Sequence, residues 1–88
     1  SVENIKNIVN DIQVLIDEHP MTNEDGRVRF LNFGASSLDI MVLYYVNSPD
    51  WEVLIDAQQK INFDIINIVN NYKCEFAFPS TSVYIEKN

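Results

Sequence analysis

The side chains able to act as nucleophile, general base or metal ligand are few, and their spacing does not bring them together. The histidine, His19, stands directly before Pro20. At a helix end it reads as a solvated or C-terminal capping group, since a cation there suits the helix dipole. The lone cysteine, Cys74, lies in an apolar run with no histidine near it in sequence, which favours a buried, inert thiol over a nucleophile. A single cysteine also supports neither an internal disulfide nor a cysteine-based zinc centre. The acids are dispersed: Asn23-Glu24-Asp25-Gly26 lacks the ligand spacing of a calcium loop and reads as a turn. Asp39, set among apolar strand residues, is expected to face water or make one local hydrogen bond. Gly26 and Gly34 are isolated, so no phosphate-cradling loop is expected. The expectation is a chain that is not an enzyme, with no catalytic residues, cofactor or metal.

Phe76, Phe78 and Tyr84 could stack nucleobases from a sheet. The formal net charge is -7, from 13 acidic and 6 basic side chains, and such a chain repels a phosphate backbone. Arg27 and Arg29 are too few for a basic patch and read as solvated strand residues. Nucleic acid is therefore not expected as a partner. The aromatics, with Trp51, Tyr44 and Tyr45, read as core or interface anchors.

The elements that would position these residues follow from periodicity. With 88 residues, 47% hydrophobic and 22% charged, the chain reads as one small folded domain, 1–88, near the size at which a single core is marginal. Ile5, Ile8, Val9, Ile12, Leu15 and Ile16 recur at spacings of three and four, predicting a helix over residues 1–19, with Ser1 as N-cap and Pro20 as the stop. Residues 20–26 carry turn chemistry and are expected to be an exposed loop. Residues 28–33 and 38–46 alternate as strands, and Gly34-Ala35-Ser36-Ser37 would join them as a hairpin, with glycine available for a positive φ. The second strand's other face, Asp39, Met41, Leu43 and Tyr45, is apolar enough to suggest partial cover or a partner.

Ser48-Pro49-Asp50 offers an N-cap, a proline at the first helical position and a favourable acid. A second helix of roughly 20 residues would follow, its stripe marked by Trp51, Leu54, Ile61, Ile65, Ile68 and Tyr72. Residues 74–78 and 82–86 read as extended, with Pro79 as the hinge between them, because proline supplies no ladder hydrogen bond. The order fits an α+β two-layer sandwich, two helices on an antiparallel sheet. It matches the ferredoxin-like βαββαβ plan with its first strand missing, as in a fragment of a longer protein. Without that strand, the last would either close up beside residues 38–46, in parallel, or leave an exposed edge.

Two stretches carry a resemblance, VRFLNFGASSLDIMVLYYV (28–46) and FAFPSTSVYIE (76–86). Together they resemble the C-terminal α/β domain of the small-conductance mechanosensitive channel (MscS-like) family. Gly34, Ser36, Ser37, Phe78, Pro79 and Tyr84 sit where that pattern would place them, and Phe76 and Phe78 look like its aromatic pair around a small residue. The resemblance implies a non-enzymatic part of a cytoplasmic cage, on the inner side of the cell membrane. In that family seven copies surround a chamber below a pore that releases ions and small solutes under hypo-osmotic tension. Membrane attachment would come only through upstream segments, since no apolar run here reaches 18 residues and no secretion signal is present. The other reading is a ferredoxin-like regulatory module binding a small ligand at its sheet edge or at a dimer interface.

Overall fold

The computed structural model describes residues 2–72 together with the backbone of residues 81–87. The elements run α1 (Val2–Glu18), β1 (Arg27–Phe33), β2 (Leu38–Val46), α2 (Trp51–Asn71) and β3 (Thr81–Lys87). This is the expected order of an α+β fold. Ser1, Cys74 and the extended stretch expected at residues 74–78, with its Pro79 hinge, lie outside the described residues.

Helix α1 buries Ile8, Ile12 and Ile16, a strict four-residue stripe that lies along one side of a helix. Its C-terminal carbonyls need donors once Pro20 ends the ladder. Thr22 supplies them: its Oγ1 donates to the Ile16 carbonyl and its backbone N, at 3.2 Å, to that of His19. The surrounding segment, expected to be an exposed loop, is partly recruited into the sheet. Thr22 forms an antiparallel bridge with Val46, while Asn23 N donates to Tyr45 O at 3.2 Å and Asn47 N to Met21 O at 2.8 Å. Thr22 is buried as a result, and Pro20, Glu24 and Asp25 keep the exposed turn character that composition suggested.

The sheet order is β1-β2-β3. β1 pairs antiparallel with β2, from Arg27↔Leu43 to Phe33↔Leu38. β3 pairs with β2 in parallel, from Ile40↔Thr81 to Val46↔Lys87, so the sheet is mixed where a purely antiparallel one was expected. The last strand has closed up beside β2. The connection from β2 to β3 runs through α2, the longer crossover that parallel neighbours require.

A register shift between Phe30 and Asn32 leaves Leu31 as an extra residue in β1. Side chains alternate along a strand, so a one-residue bulge reverses which face each later residue occupies. Phe33 is thereby returned to the face of Phe30, and the two rings meet edge to face with centroids 5.2 Å apart. Simple alternation, as read from the sequence, would have put them on opposite faces.

Helix α2 begins two residues later than the Ser48 cap implied. Asp50 is the N-cap, its Oδ1 accepting from Glu52 N at 2.9 Å, and Ser48 Oγ instead accepts from Asp50 N at 3.1 Å. Pro49 therefore precedes the helix. At the other end Tyr72 donates its hydroxyl to Asp11 Oδ2 at 2.6 Å, tying α2 to α1. That bond, which a phenolate could not donate, raises the Tyr72 pKa.

Leu54, Ala57, Ile61, Ile65 and Val69 of α2 join the α1 stripe over Val28, Val42, Tyr44 and Val46. Burial pushes the Tyr44 phenol up to about 12, so it stays neutral at ordinary pH. Trp51, expected in the core or at an interface, is 60% exposed at the first residue of α2, ahead of that helix's first core residue, Leu54. The second face of β2, Asp39, Met41, Leu43 and Tyr45, is half-buried.

Gly26, buried where the turn enters β1, allows a close approach. A Cβ there would lie 2.7 Å from Leu43 O and 2.8 Å from Ile16 Cδ1. Neither neighbour can retreat easily, one being sheet backbone and the other fully buried. Gly26→Ala is expected to lower unfolding stability by about 1–3 kcal/mol in a denaturant titration; an unchanged midpoint would mean that α1 and β2 are not packed this closely.

Candidate functional site

The motif residues that sequence placed between the strands form a compact polar clasp. Gly34 N donates to Ser37 O at 2.8 Å, closing the hairpin. Ser37 Oγ then donates to Asp39 Oδ1 at 2.9 Å, and Asn32 Nδ2 to Asp39 Oδ2 at 3.1 Å. Both carboxylate oxygens are engaged by neighbours within the hairpin, so Asp39 makes two local bonds where one was expected. The glycine at 34 has a steric cause. Its φ lies outside the left-handed range, contrary to the expectation of a positive value, and a Cβ would run into Ser37 Oγ, which could yield only by rotating away from Asp39. Ser36 is exposed.

The other motif positions do not join this clasp. Tyr84 lies in β3 opposite Leu43 in register, well along β2 from Asp39. Phe76, Phe78 and Pro79 lie outside the described residues, as does Cys74.

His19 sits at the end of α1, half-buried. Its Nδ1 accepts a hydrogen bond from Met21 N at 3.1 Å, which requires the neutral ring. Burial lowers its pKa below the usual 6.5; Asp64 opposes the shift and Lys60 adds to it. The histidine caps its own turn as an acceptor, not as the dipole-stabilising cation expected. Among the described residues, no cluster of His, Cys, Asp or Glu could hold a metal ion.

A side chain that periodicity did not single out holds the edge strand. Gln13 of α1 donates from Nε2 to Gly26 O at 3.1 Å and accepts at Oε1 from Val28 N at 2.9 Å. Its amide thus imitates a neighbouring strand for the start of β1, a way of covering a sheet edge. A polar residue next to Ile12 on an amphipathic helix gives no such signal in sequence. Beside Gln13, α1 and β1 enclose an open groove of about 420 Å³, lined by Ile5, Val9, Val28 and Phe30 with Lys6 and Arg29. Arg29 is exposed, as expected of a solvated strand residue, and its guanidinium Nη1 bends back to Val28 O at 2.8 Å.

A hairpin clasp, a neutral capping histidine and a surface groove describe a binding or assembly module more than a reaction centre. A family model described as "Mechanosensitive ion channel MscS, C-terminal" matches residues 1–76. An uncharacterized MscS family protein of Aquifex aeolicus is 44% identical over 87 residues, covering 97% of this chain and 24% of that protein. The small-conductance mechanosensitive channel MscMJ of Methanocaldococcus jannaschii is 33% identical, covering 99% of this chain and 25% of its own length. The low conductance mechanosensitive channel YnaI of Escherichia coli is 33% identical, covering 90% and 24%. The chain belongs to the MscS mechanosensitive channel family, a family of channels and not of enzymes. Within it, the chain is the C-terminal domain, and it spans about a quarter of the length of these relatives. The family match contains Gly34, Ser36, Ser37 and Phe76 and ends before Phe78, Pro79 and Tyr84.

Two measurements test the site. Below pH 6.5 an unfolded histidine takes up a proton that folded His19 resists, so folding stability should fall as pH drops from 6.5 through the lower folded value. Above 6.5 this contribution is constant. His19→Asn, which keeps an acceptor, should flatten that segment of the pH profile; an unaltered slope would show that His19 is not its source. For the clasp, Gly34→Ala should cost about 1 kcal/mol or more in the native background and clearly less once Ser37→Ala has removed the obstructing hydroxyl. Additive costs would contradict a steric role for Gly34.

Proposed function

We propose that the chain serves as a non-catalytic domain of the cytoplasmic cage of a mechanosensitive channel, on the inner side of the cell membrane. The channel would release ions and small solutes when hypo-osmotic stress raises membrane tension. The observation that carries this reading is the match to the family's C-terminal model over residues 1–76. Relatives described as mechanosensitive channels support it, each extending well beyond the stretch that this chain covers. Among the described residues no helix is long and apolar enough to cross a membrane, so on this reading the pore belongs to other segments of the parent protein.

In this role residues 1–88 act as one domain that self-associates around a chamber, as a heptamer in the full-length channel. The architecture is read as ferredoxin-like with its first strand left out. That plan places the absent strand between its third and fourth, and the observed order β1-β2-β3, with β2 and β3 parallel, is what remains when it is removed. The residues of the hairpin clasp, Gly34, Ser36 and Ser37, would fix the shape of the hairpin, and Phe76, Phe78, Pro79 and Tyr84 the chain's approach to β3.

Patch recording of the full-length parent protein in a bilayer tests the proposal. A conductance that opens with suction is expected, together with improved survival of channel-deficient cells after osmotic downshock. A parent that stays silent up to membrane rupture and gives no protection would overturn it.

A further inference from the structure

Two surfaces left open by the core differ in charge. The first is the groove between α1 and the edge strand β1, where the charged lining residues are Lys6 and Arg29, both positive. In a chain of net charge -7 this is a local reversal of sign. The second is an outer stripe of α2. Ile55, Asn62, Phe63 and Ile66 lie along it, with Phe63 57% and Ile66 43% exposed. Its borders carry Glu52, Asp56, Lys60 and Asp64, and Lys60 pairs with Asp64 at 3.8 Å, so Glu52 and Asp56 leave this rim negative.

Helical geometry fixes how the two surfaces are disposed. At about 100° per residue, Phe63, Glu52 and Asp56 fall on the face of α2 opposite to its buried residues Leu54, Ala57, Ile61, Ile65 and Val69. Ile55, Asn62 and Ile66 flank Phe63 on one side and Lys60 and Asp64 on the other, the latter being the side whose charges act on His19. The groove lies between α1 and β1, at the outer edge of the sheet. A copy therefore presents a basic groove between α1 and β1 and an acidic, aromatic ridge on the outer face of α2.

We infer that these two surfaces dock onto each other between successive copies of the chain. Phe63 of one copy enters the groove of the next, and Lys6 and Arg29 face Asp56 and Glu52. An exposed aromatic set in a pocket, with charges at its rim, has the make-up of an interface anchor. Groove against groove would oppose like cations, and ridge against ridge like acids, so the contact joins unlike surfaces. Such a heterologous contact runs head to tail and closes into a ring when its rotation permits. The inference rests on the assembly role proposed above and specifies which faces meet.

Sedimentation of the 88-residue chain over a concentration series tests it, with thermal melts to check folding. Wild type should associate, and Phe63→Asp or Arg29→Glu should each weaken association at least about tenfold, which is about 1.4 kcal/mol. Mixed together, those two variants should form a one-to-one pair and nothing larger, since each retains a different working surface. Arg29→Glu combined with Asp56→Lys in the same chain should restore association. If Phe63→Asp melts early, Asp56→Lys alone takes its place as the ridge variant. A wild type that stays monomeric to about 1 mM, folded variants that associate like wild type, or a charge exchange that restores nothing would each overturn the contact. A tension-gated conductance of the parent protein alongside any of these results would remove this interface and leave the channel assignment standing.

Discussion

Strand β2 is the constraint on which the remaining structure depends, because it pairs along both of its edges, with β1 antiparallel and β3 parallel. Its helix-facing residues Val42, Tyr44 and Val46 are completely buried. Both helices direct their apolar stripes at this one surface, and in a chain so short no second core is available. The end of β2 also draws in Thr22, which bridges Val46 while satisfying the last carbonyls of α1. Helix termination and sheet pairing are thus met by one residue.

The other end of the β1–β2 hairpin has a different character. The Leu31 bulge turns Phe33 back to the side of Phe30, on the face that the helices cover further along. Phe30, Leu31, Phe33 and Leu38 are all exposed. A bulge near a strand end commonly re-aims side chains, and here it gathers apolar groups at the hairpin end beside a groove with a basic rim. The clasp of Asn32, Ser37 and Asp39 fixes the hairpin end.

The sequence was most legible where periodicity and burial agree. Ile8, Ile12 and Ile16 announced α1, and the alternation through Val42, Tyr44 and Val46 announced β2, because a half-buried element imposes its own period on the residues it carries. It was least legible where one side chain satisfied a backbone group at a distance. Gln13 bonds to Gly26 and Val28, and nothing in its local pattern marks it. The cap of α2 was misplaced in the sequence reading because Ser48 and Asp50 both offer a side-chain acceptor and composition alone does not choose between them. At the candidate site, Gly34 and Ser37 were singled out correctly as hairpin residues, yet the glycine's cause proved to be the space beside Ser37 Oγ and not a positive φ. The bulge at Leu31 escaped notice because an unbroken alternation also fits those residues.

The central claim is that this C-terminal domain lines up head to tail in the cage of a mechanosensitive channel. A single-particle structure of the full-length parent protein in lipid tests it most directly. The account predicts a ring of these domains on the cytoplasmic side of the pore, with Phe63 of each copy seated between α1 and β1 of its neighbour. Domains held apart from one another, or joined through like surfaces, would contradict it.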